Sequence, residues 1–344
     1  MMNRSRGLTK HTSTCMKTIV LYLFEPNRKF LSFLAPLDKI YMSLQRSVTV
    51  AYMLLATTMT FWAGNAIVGR LFRDELPPIT LAFLRWSIAL IVILLIIRPP
   101  LRKDAAVLFS SWRILLVTGT FGIGIFNTLQ YFALQYTTAI NVGLMQVMMP
   151  ISILILDVLW FGVRARTSQI IGMLLATLGV VIILCRGDLT VLTKLTVNIG
   201  DLIMLTAVAL YAIFAVALRL KPNVHPWSFL AVIFAIGALE LLPFAYLEWS
   251  SGARVVVSEG TILAIAYVVI GPAILAYTFF TKAVETLGPN NAGMFFYYIP
   301  VATAVLAVLI LEEPLEFFHM IGFILTTLGL RFALQRPSNP NSTD

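Results

Sequence analysis

The stretch Asn141-Val142-Gly143-Leu144-Met145-Gln146-Val147-Met148-Met149-Pro150 returns 150 positions later as Asn291-Ala292-Gly293-Met294-Phe295-Phe296-Tyr297-Tyr298-Ile299-Pro300. An Asn, then a Gly, then a Pro recur in one register. The register continues without a gap: Gly172 falls on Gly322, and Thr177-Leu178-Gly179 falls on Thr327-Leu328-Gly329. Upstream, Ala133 falls on Ala283. At a shift of 149 the first apolar run matches the sixth, pairing Trp62 with Tyr211 and Arg70 with Arg219. Apolar helices resemble one another in leucine and valine content, but not in coincident Asn, Gly and Pro. The pattern reads as an internal duplication.

What is duplicated follows from composition. The 344 residues are 59% hydrophobic and 12% charged, with a mean hydropathy of +0.89. Soluble domains keep about a quarter of their residues charged, so most of this surface must face lipid. Apolar runs occupy 48–70, 79–97, 113–134, 139–161, 168–185, 199–219, 227–247, 261–281, 290–311 and 317–334. Each is near the roughly 20 residues that a membrane-crossing helix requires. The expected fold is an all-α integral membrane protein, with ten transmembrane helices forming two five-helix repeats. Five is odd, so the second copy enters the membrane upside down and the repeats are inverted. Such repeats hold a substrate near the midplane at their interface.

Charge gives orientation. With the N-terminus inside, the inner segments carry 19 of the 25 Lys and Arg, and the outer loops carry 5. Both termini are therefore expected in the cytoplasm, which for a chain of this kind means a bacterial inner (plasma) membrane. The net charge of +9 does not argue for nucleic acid, because the basic residues are scattered among loops and tails. Four regions result: a cytoplasmic tail 1–47, a first repeat 48–186, a second repeat 199–335, and a cytoplasmic tail 336–344. Two readings of the first tail stay open. It is a basic amphipathic segment on the anionic inner leaflet, or an over-extended start with Met42 as the first residue; the second is favoured.

Several short motifs point to a family. Phe61-Trp62-Ala63-Gly64-Asn65, Leu76-Pro77-Pro78, Leu81-Ala82-Phe83-Leu84-Arg85-Trp86, Asn141-Val142-Gly143 with Pro150, and Leu311-Glu312-Glu313-Pro314 look like parts of an EamA domain. The chain resembles the drug/metabolite transporter superfamily, EamA type, over about residues 48–335. The resemblance implies a ten-helix exporter or exchanger of metabolites, with a central cavity lined by the first, third, fourth, sixth, eighth and ninth helices. One departure is visible: Gly162-Val163-Arg164 lacks the acid of the family's usual turn after the fourth helix.

Arg85 is the most informative single residue, because an Arg inside an apolar helix costs about 2.5–3.5 kcal/mol on insertion scales. It either bonds helix-end carbonyls by snorkelling or serves substrate or gate. Glu240 lies at a similar depth from the same face and makes a buried pair with it possible. Asp157 is expected in an interfacial ion pair near Arg164 and Arg166. The candidate polar lining of a cavity is Asn65, Asn127, Gln130, Tyr131, Gln146, Tyr211, Tyr277, Tyr297 and Tyr298, with Trp62 as an aromatic wall. Amides and phenols of this kind suit neutral, zwitterionic or aromatic solutes, although each also has an ordinary packing role open to it. Pro150 and Pro300, which free backbone carbonyls, are read as hinges or cavity-lining kinks. Asn141 and Asn291 are read as helix caps or substrate contacts. Gly119, Gly122 and Gly124 are assigned to close helix packing.

No phosphate-binding G-x-x-x-x-G-K-[ST] loop occurs, and His11, His225 and His319 lie in a tail or at helix ends. No ATP motor, metal site or cofactor is expected. The partners expected are a small-molecule substrate and the lipid bilayer, with no nucleic acid, and the protein acts as a monomer or homodimer. A membrane-embedded enzyme, or a receptor-like membrane protein without transport, is the alternative. An enzyme would cluster acids or histidines at one membrane face, which this sequence does not.

Overall fold

The computed structural model describes residues 48–72, 74–137, 142, 145–194, 198–311 and 316–334. Among these, the first half runs α1 Val48–Leu71, α2 Pro78–Val92 with a π-helical extension Ile93–Ile97, α3 Leu101–Ser110, and α4 Trp112–Gly119. A π-helical segment Thr120–Ile125 joins α4 to α5 Phe126–Tyr136, followed by α6 Met149–Phe161 and α7 Thr167–Leu184. The second half runs α8 Ile199–Ala217, α9 Pro226–Ser250 and α10 Glu259–Val268. A π-helical Val269–Leu275 leads into α11 Ala276–Gly293, then α12 Tyr298–Leu311 and α13 Phe317–Leu334. The segment 1–47, Asn141, the Glu312-Glu313-Pro314 turn, and the side chains of Arg70 and Tyr131 lie outside the described residues.

The chain is a multi-pass membrane protein. Among the described residues eight helices are long and apolar enough to cross a membrane, and Met149–Phe161 is a shorter apolar helix. One of the eight, Glu259–Leu306, has 48 residues. At 1.5 Å per residue it would measure about 72 Å, more than twice the hydrocarbon thickness. Gly288, with φ 78° and ψ 159°, divides it; that backbone region is essentially open to glycine alone. Leu239 and Leu309 are 68% and 71% exposed, side chains that lipid covers without the cost water would impose. α3 falls where the sequence pattern predicts a connecting loop. Its Leu108 is buried while Phe109, Arg102 and Lys103 are exposed, an amphipathic pattern too short to span and suited to the lipid–water boundary.

Contacts between the halves are reciprocal. α7 packs on α13 through glycines so closely that a methyl on Gly172 would lie 2.4 Å from the Gly329 carbonyl oxygen. One on Gly179 would lie 2.7 Å from that of Gly322. Each glycine thus meets the repeat counterpart of the other, and their order along the two helices is opposite. The same exchange governs α2 and α9, which begin with Pro78 and Pro226 and leave their first N–H groups without intrahelical acceptors. Glu248 of α9 accepts from the Ile79 and Thr80 N–H groups at 3.2 and 2.7 Å. Asp104, in the first turn of α3, accepts from the N–H of His225, the residue before α9, at 3.1 Å. Each carboxylate also sits at the positive end of a helix dipole. Likewise α5 packs on α8 as α11 packs on α1, and α6 packs on α8 as α12 packs on α1.

Candidate functional site

Trp62 stands in the middle of an aromatic cluster drawn from both halves. Its ring stacks on Phe296 at 5.5 Å, meets Phe280 at 5.4 Å, and takes Tyr277 and Tyr211 edge-on at 5.6 and 6.4 Å. The indole N–H donates to the Pro272 carbonyl at 3.1 Å. Arg85 Nη2 donates to the same carbonyl at 3.0 Å. Arg85 is only 5% exposed, and its guanidinium lies 4.3 Å over the Trp86 ring. That arrangement lets a cation sit inside an apolar bundle: a carbonyl takes one edge and an aromatic face takes the plane.

The carbonyl is available because of local backbone geometry. Pro272 lies in the π-helical turn Val269–Leu275, where the Ala276 N–H bonds the Gly271 and Ala273 carbonyls rather than that of Pro272. The i→i−4 pattern is interrupted there, which leaves the Pro272 carbonyl to side-chain donors. Its repeat counterpart, Gly122, lies in the corresponding π-helical turn of the first half, Thr120–Ile125. The Gly122 carbonyl accepts from the Tyr277 hydroxyl at 2.7 Å. The two turns therefore exchange donors: the first half gives Trp62 and Arg85 to Pro272, and the second gives Tyr277 to Gly122. Gly122 also lies flat against Phe214, whose ring is 2.3 Å from where a Cβ would be. The packing role expected of Gly119, Gly122 and Gly124 is present, and the backbone acceptor is an addition to it.

The structure brings together Trp62, Arg85, Tyr211 and Tyr277 from the residues predicted by sequence. Asn65, Gln130, Gln146 and Tyr298 are half-buried. Asn127 is buried and bonds locally, its Nδ2 donating to the Ile123 carbonyl at 3.4 Å. Tyr297 belongs elsewhere. Its hydroxyl pairs with Thr177 Oγ1 at 3.0 Å, in a separate cluster with Val147 and Met173. Pro150 is the second residue of α6 and Pro300 the third of α12, so both start regular helices rather than bend their middles. Asn291 bonds back to the Leu287 carbonyl at 3.0 Å.

Two expected ion pairs form differently. Glu240 takes its hydrogen bond from Thr120 Oγ1, not from Arg85, because α9 turns that carboxylate towards Gly124 in the π-helical turn. Asp157 pairs with Arg219 of the other half rather than with the nearby Arg164 or Arg166. In both cases the rotation of the helices, rather than depth or spacing along the chain, selects the partner.

Sequence reasoning missed Pro272, Trp86, Phe126, Phe214, Phe280, Phe296 and Tyr267. Pro272 left a trace as a proline inside an apolar run, and Trp86 as the end of the Leu81–Trp86 motif. Tyr267 explains one motif residue: its hydroxyl donates to the Phe61 carbonyl at 3.3 Å, and a Cβ on Gly64 would lie 2.1 Å from that oxygen. Gly64→Val is expected to displace Tyr267 at a cost of about 1–3 kcal/mol. A lower melting temperature in detergent, relative to the parent, checks it.

A profile of the EamA-like transporter family matches residues 49–185 and again residues 198–335. A protein of Archaeoglobus fulgidus named as an uncharacterized transporter is 29% identical over 284 residues, covering 81% of this chain and 95% of its own length. The uncharacterized transporter YetK of Bacillus subtilis is 26% identical over 320 residues, covering 92% and 95%. One solved crystal structure of a protein superposes with a TM-score of 0.68 at 20% identity, covering 84% of this chain and 97% of the other.

Proposed function

The chain belongs to the EamA-like transporter family, and from that premise we propose that it is a secondary exporter of small metabolites. The solutes are neutral or zwitterionic, amino acids or related compounds among them. The work is done by alternating access between inverted repeats, ten membrane-crossing helices in all. Gly288 supplies the ninth crossing by dividing Glu259–Leu306, and the segment ending in Met149–Phe161 supplies the tenth. The reciprocal glycine and carboxylate contacts support a pseudo-two-fold axis in the membrane plane, as does the opposite order of Gly172 and Gly179 against Gly329 and Gly322.

One observation carries the location of the site. Donors of each half meet the π-turn carbonyl of the other at Pro272 and Gly122. Groups exchanged across the repeat interface are the ones that must part or slide when the halves rock. Trp62, Tyr211, Tyr277 and Phe296 offer aromatic faces to a solute, and Arg85 offers a fork for a carboxylate. Sitting in the inner membrane with both termini cytoplasmic, the protein would draw its solute from the cytoplasm.

Proteoliposomes holding the purified protein and loaded with a metabolite panel test this directly. Solute-specific efflux that saturates with concentration, and is lowered several-fold by Trp62→Ala, is the expected result. No flux for any member, with turnover of a lipid-borne compound instead, would turn the reading towards a membrane enzyme.

A further inference from the structure

Asp157, near the end of α6 in the first repeat, is 0% exposed. Arg219, in the 3-10 turn Leu218–Leu220 that finishes α8 in the second repeat, reaches it with two bonds. Nε and Nη2 each donate to one carboxylate oxygen at 2.7 Å. The pair ties two helix ends from different halves at one face. A buried hydrogen bond between side-chain amides joins the halves at the same face: Gln169 Nε2 donates to Asn290 Oδ1 at 2.7 Å.

A cavity of about 490 Å³ opens beside this pair, bounded by Arg219, Lys221, Lys282, Glu285, Thr286 and Gly288. Glu285 holds Lys221 at 2.8 Å and Lys282 at 3.7 Å. The left-handed turn at Gly288 brings the chain under the guanidinium, so that a Cβ there would lie 3.4 Å from Arg219 Nη2. Phe280, a member of the aromatic cluster that touches Trp62 and Phe296, stands two residues before Lys282 of the cavity wall on the same helix. One turn of α11 thus carries both a residue of the aromatic cluster and a residue of the cavity wall.

A static strut here would be better built from leucine. Removing two charges from water offsets most of their attraction, so a buried ion pair adds little net stability over apolar packing. What it does offer is a contact that is firm when dry and released when water reaches it. Arg219 is placed for that, since its side chain is 31% exposed where Asp157 is sealed.

We propose that Asp157 and Arg219 are the bolt closing the cavity-bearing face of the transporter. The 490 Å³ cavity is the vestibule through which solute meets the Trp62 site once the bolt opens. This rests on the alternating-access reading above. Opening the bolt converts a face closed to solute into an open one, and the opposite face closes in exchange.

The test needs no solute. A Phe296→Cys reporter is placed in a chain whose Cys15 and Cys185 are replaced by serine, in vesicles of known orientation. The rate of modification by a membrane-impermeant maleimide is measured from each face. Asp157→Asn is expected to raise the rate from the Arg219 face roughly tenfold, as a minor open state becomes populated, and to lower it from the opposite face. Arg219→Gln, made from the more exposed partner, should give the same shift even if the aspartate variant folds poorly. The charge-swapped Asp157→Arg/Arg219→Asp protein should return both rates to the parental ones. Rates unchanged in both single variants, or raised from both faces as in a merely loosened bundle, would overturn the proposal. A parallel flux assay that finds no transported solute counts against the transporter reading alone, because labelling does not depend on it.

Discussion

Arg85→Ala is expected to lower flux by roughly a hundredfold or more while the protein reaches the membrane in undiminished amount. The magnitudes explain the split. A guanidinium at mid-helix costs about 2.5–3.5 kcal/mol on insertion, and a hydrogen bond from a charged donor returns about 1.5–3 kcal/mol. These terms nearly cancel, so the fold gains little from keeping an arginine there. Trp62 still serves the Pro272 carbonyl when Arg85 is removed. On the proposed reading the arginine serves the solute more than the bundle. Arg85→Lys keeps the charge but loses the planar fork and the stacking on Trp86, and should fall between parent and alanine variant. Flux in proteoliposomes at matched protein amounts measures all three. Parental flux from the alanine variant would remove Arg85 from the site.

Gly172→Leu is expected to do the opposite, destroying the fold before any step of transport is reached. The Gly329 carbonyl oxygen and the Ala333 amide nitrogen both lie 2.4 Å from the position a Cβ would take. Backbone cannot swing aside as a side chain can, so α7 and α13 must separate along their shared seam. A loss of about 3 kcal/mol or more is expected, read as a lower melting temperature in detergent and a lower yield of folded protein. Gly69→Ala is the control. Nothing lies within 4 Å of its Cβ position, and removing a glycine's conformational freedom from a helix stabilises by about 0.5–1 kcal/mol. Equal effects from the two substitutions would show that glycine loss, not the seam, sets the outcome.

The two halves were legible in the chain because duplication leaves coincident Asn, Gly and Pro at one spacing, and family-profile matches at 49–185 and 198–335 fall on the same division. Part of the aromatic cluster was legible too. Trp62, Arg85, Tyr211 and Tyr277 stand out as polar or aromatic residues within apolar runs. Tyr297 stood out by the same rule and yet bonds Thr177 in another cluster, which shows the limit of the rule. The aromatic walls Phe214, Phe280 and Phe296 were invisible. In a chain with 23 phenylalanines, a ring facing lipid and a ring facing a site look the same.

The sequence by itself determined the solvent, the helical class and the repeat, since each is a property of composition or of spacing along one strand. Only the tertiary structure decided which groups meet. Arg85 and Pro272 are 187 residues apart, and Asp157 bypasses its neighbours Arg164 and Arg166 for Arg219. The physical reason is lipid. A soluble helix announces its buried face by an apolar stripe, but a membrane helix is apolar on all sides. Its rotation is set by small-residue packing and a few polar bonds. That rotation chose the partners of Arg85, Glu240 and Asp157, and no pattern along the chain encodes it.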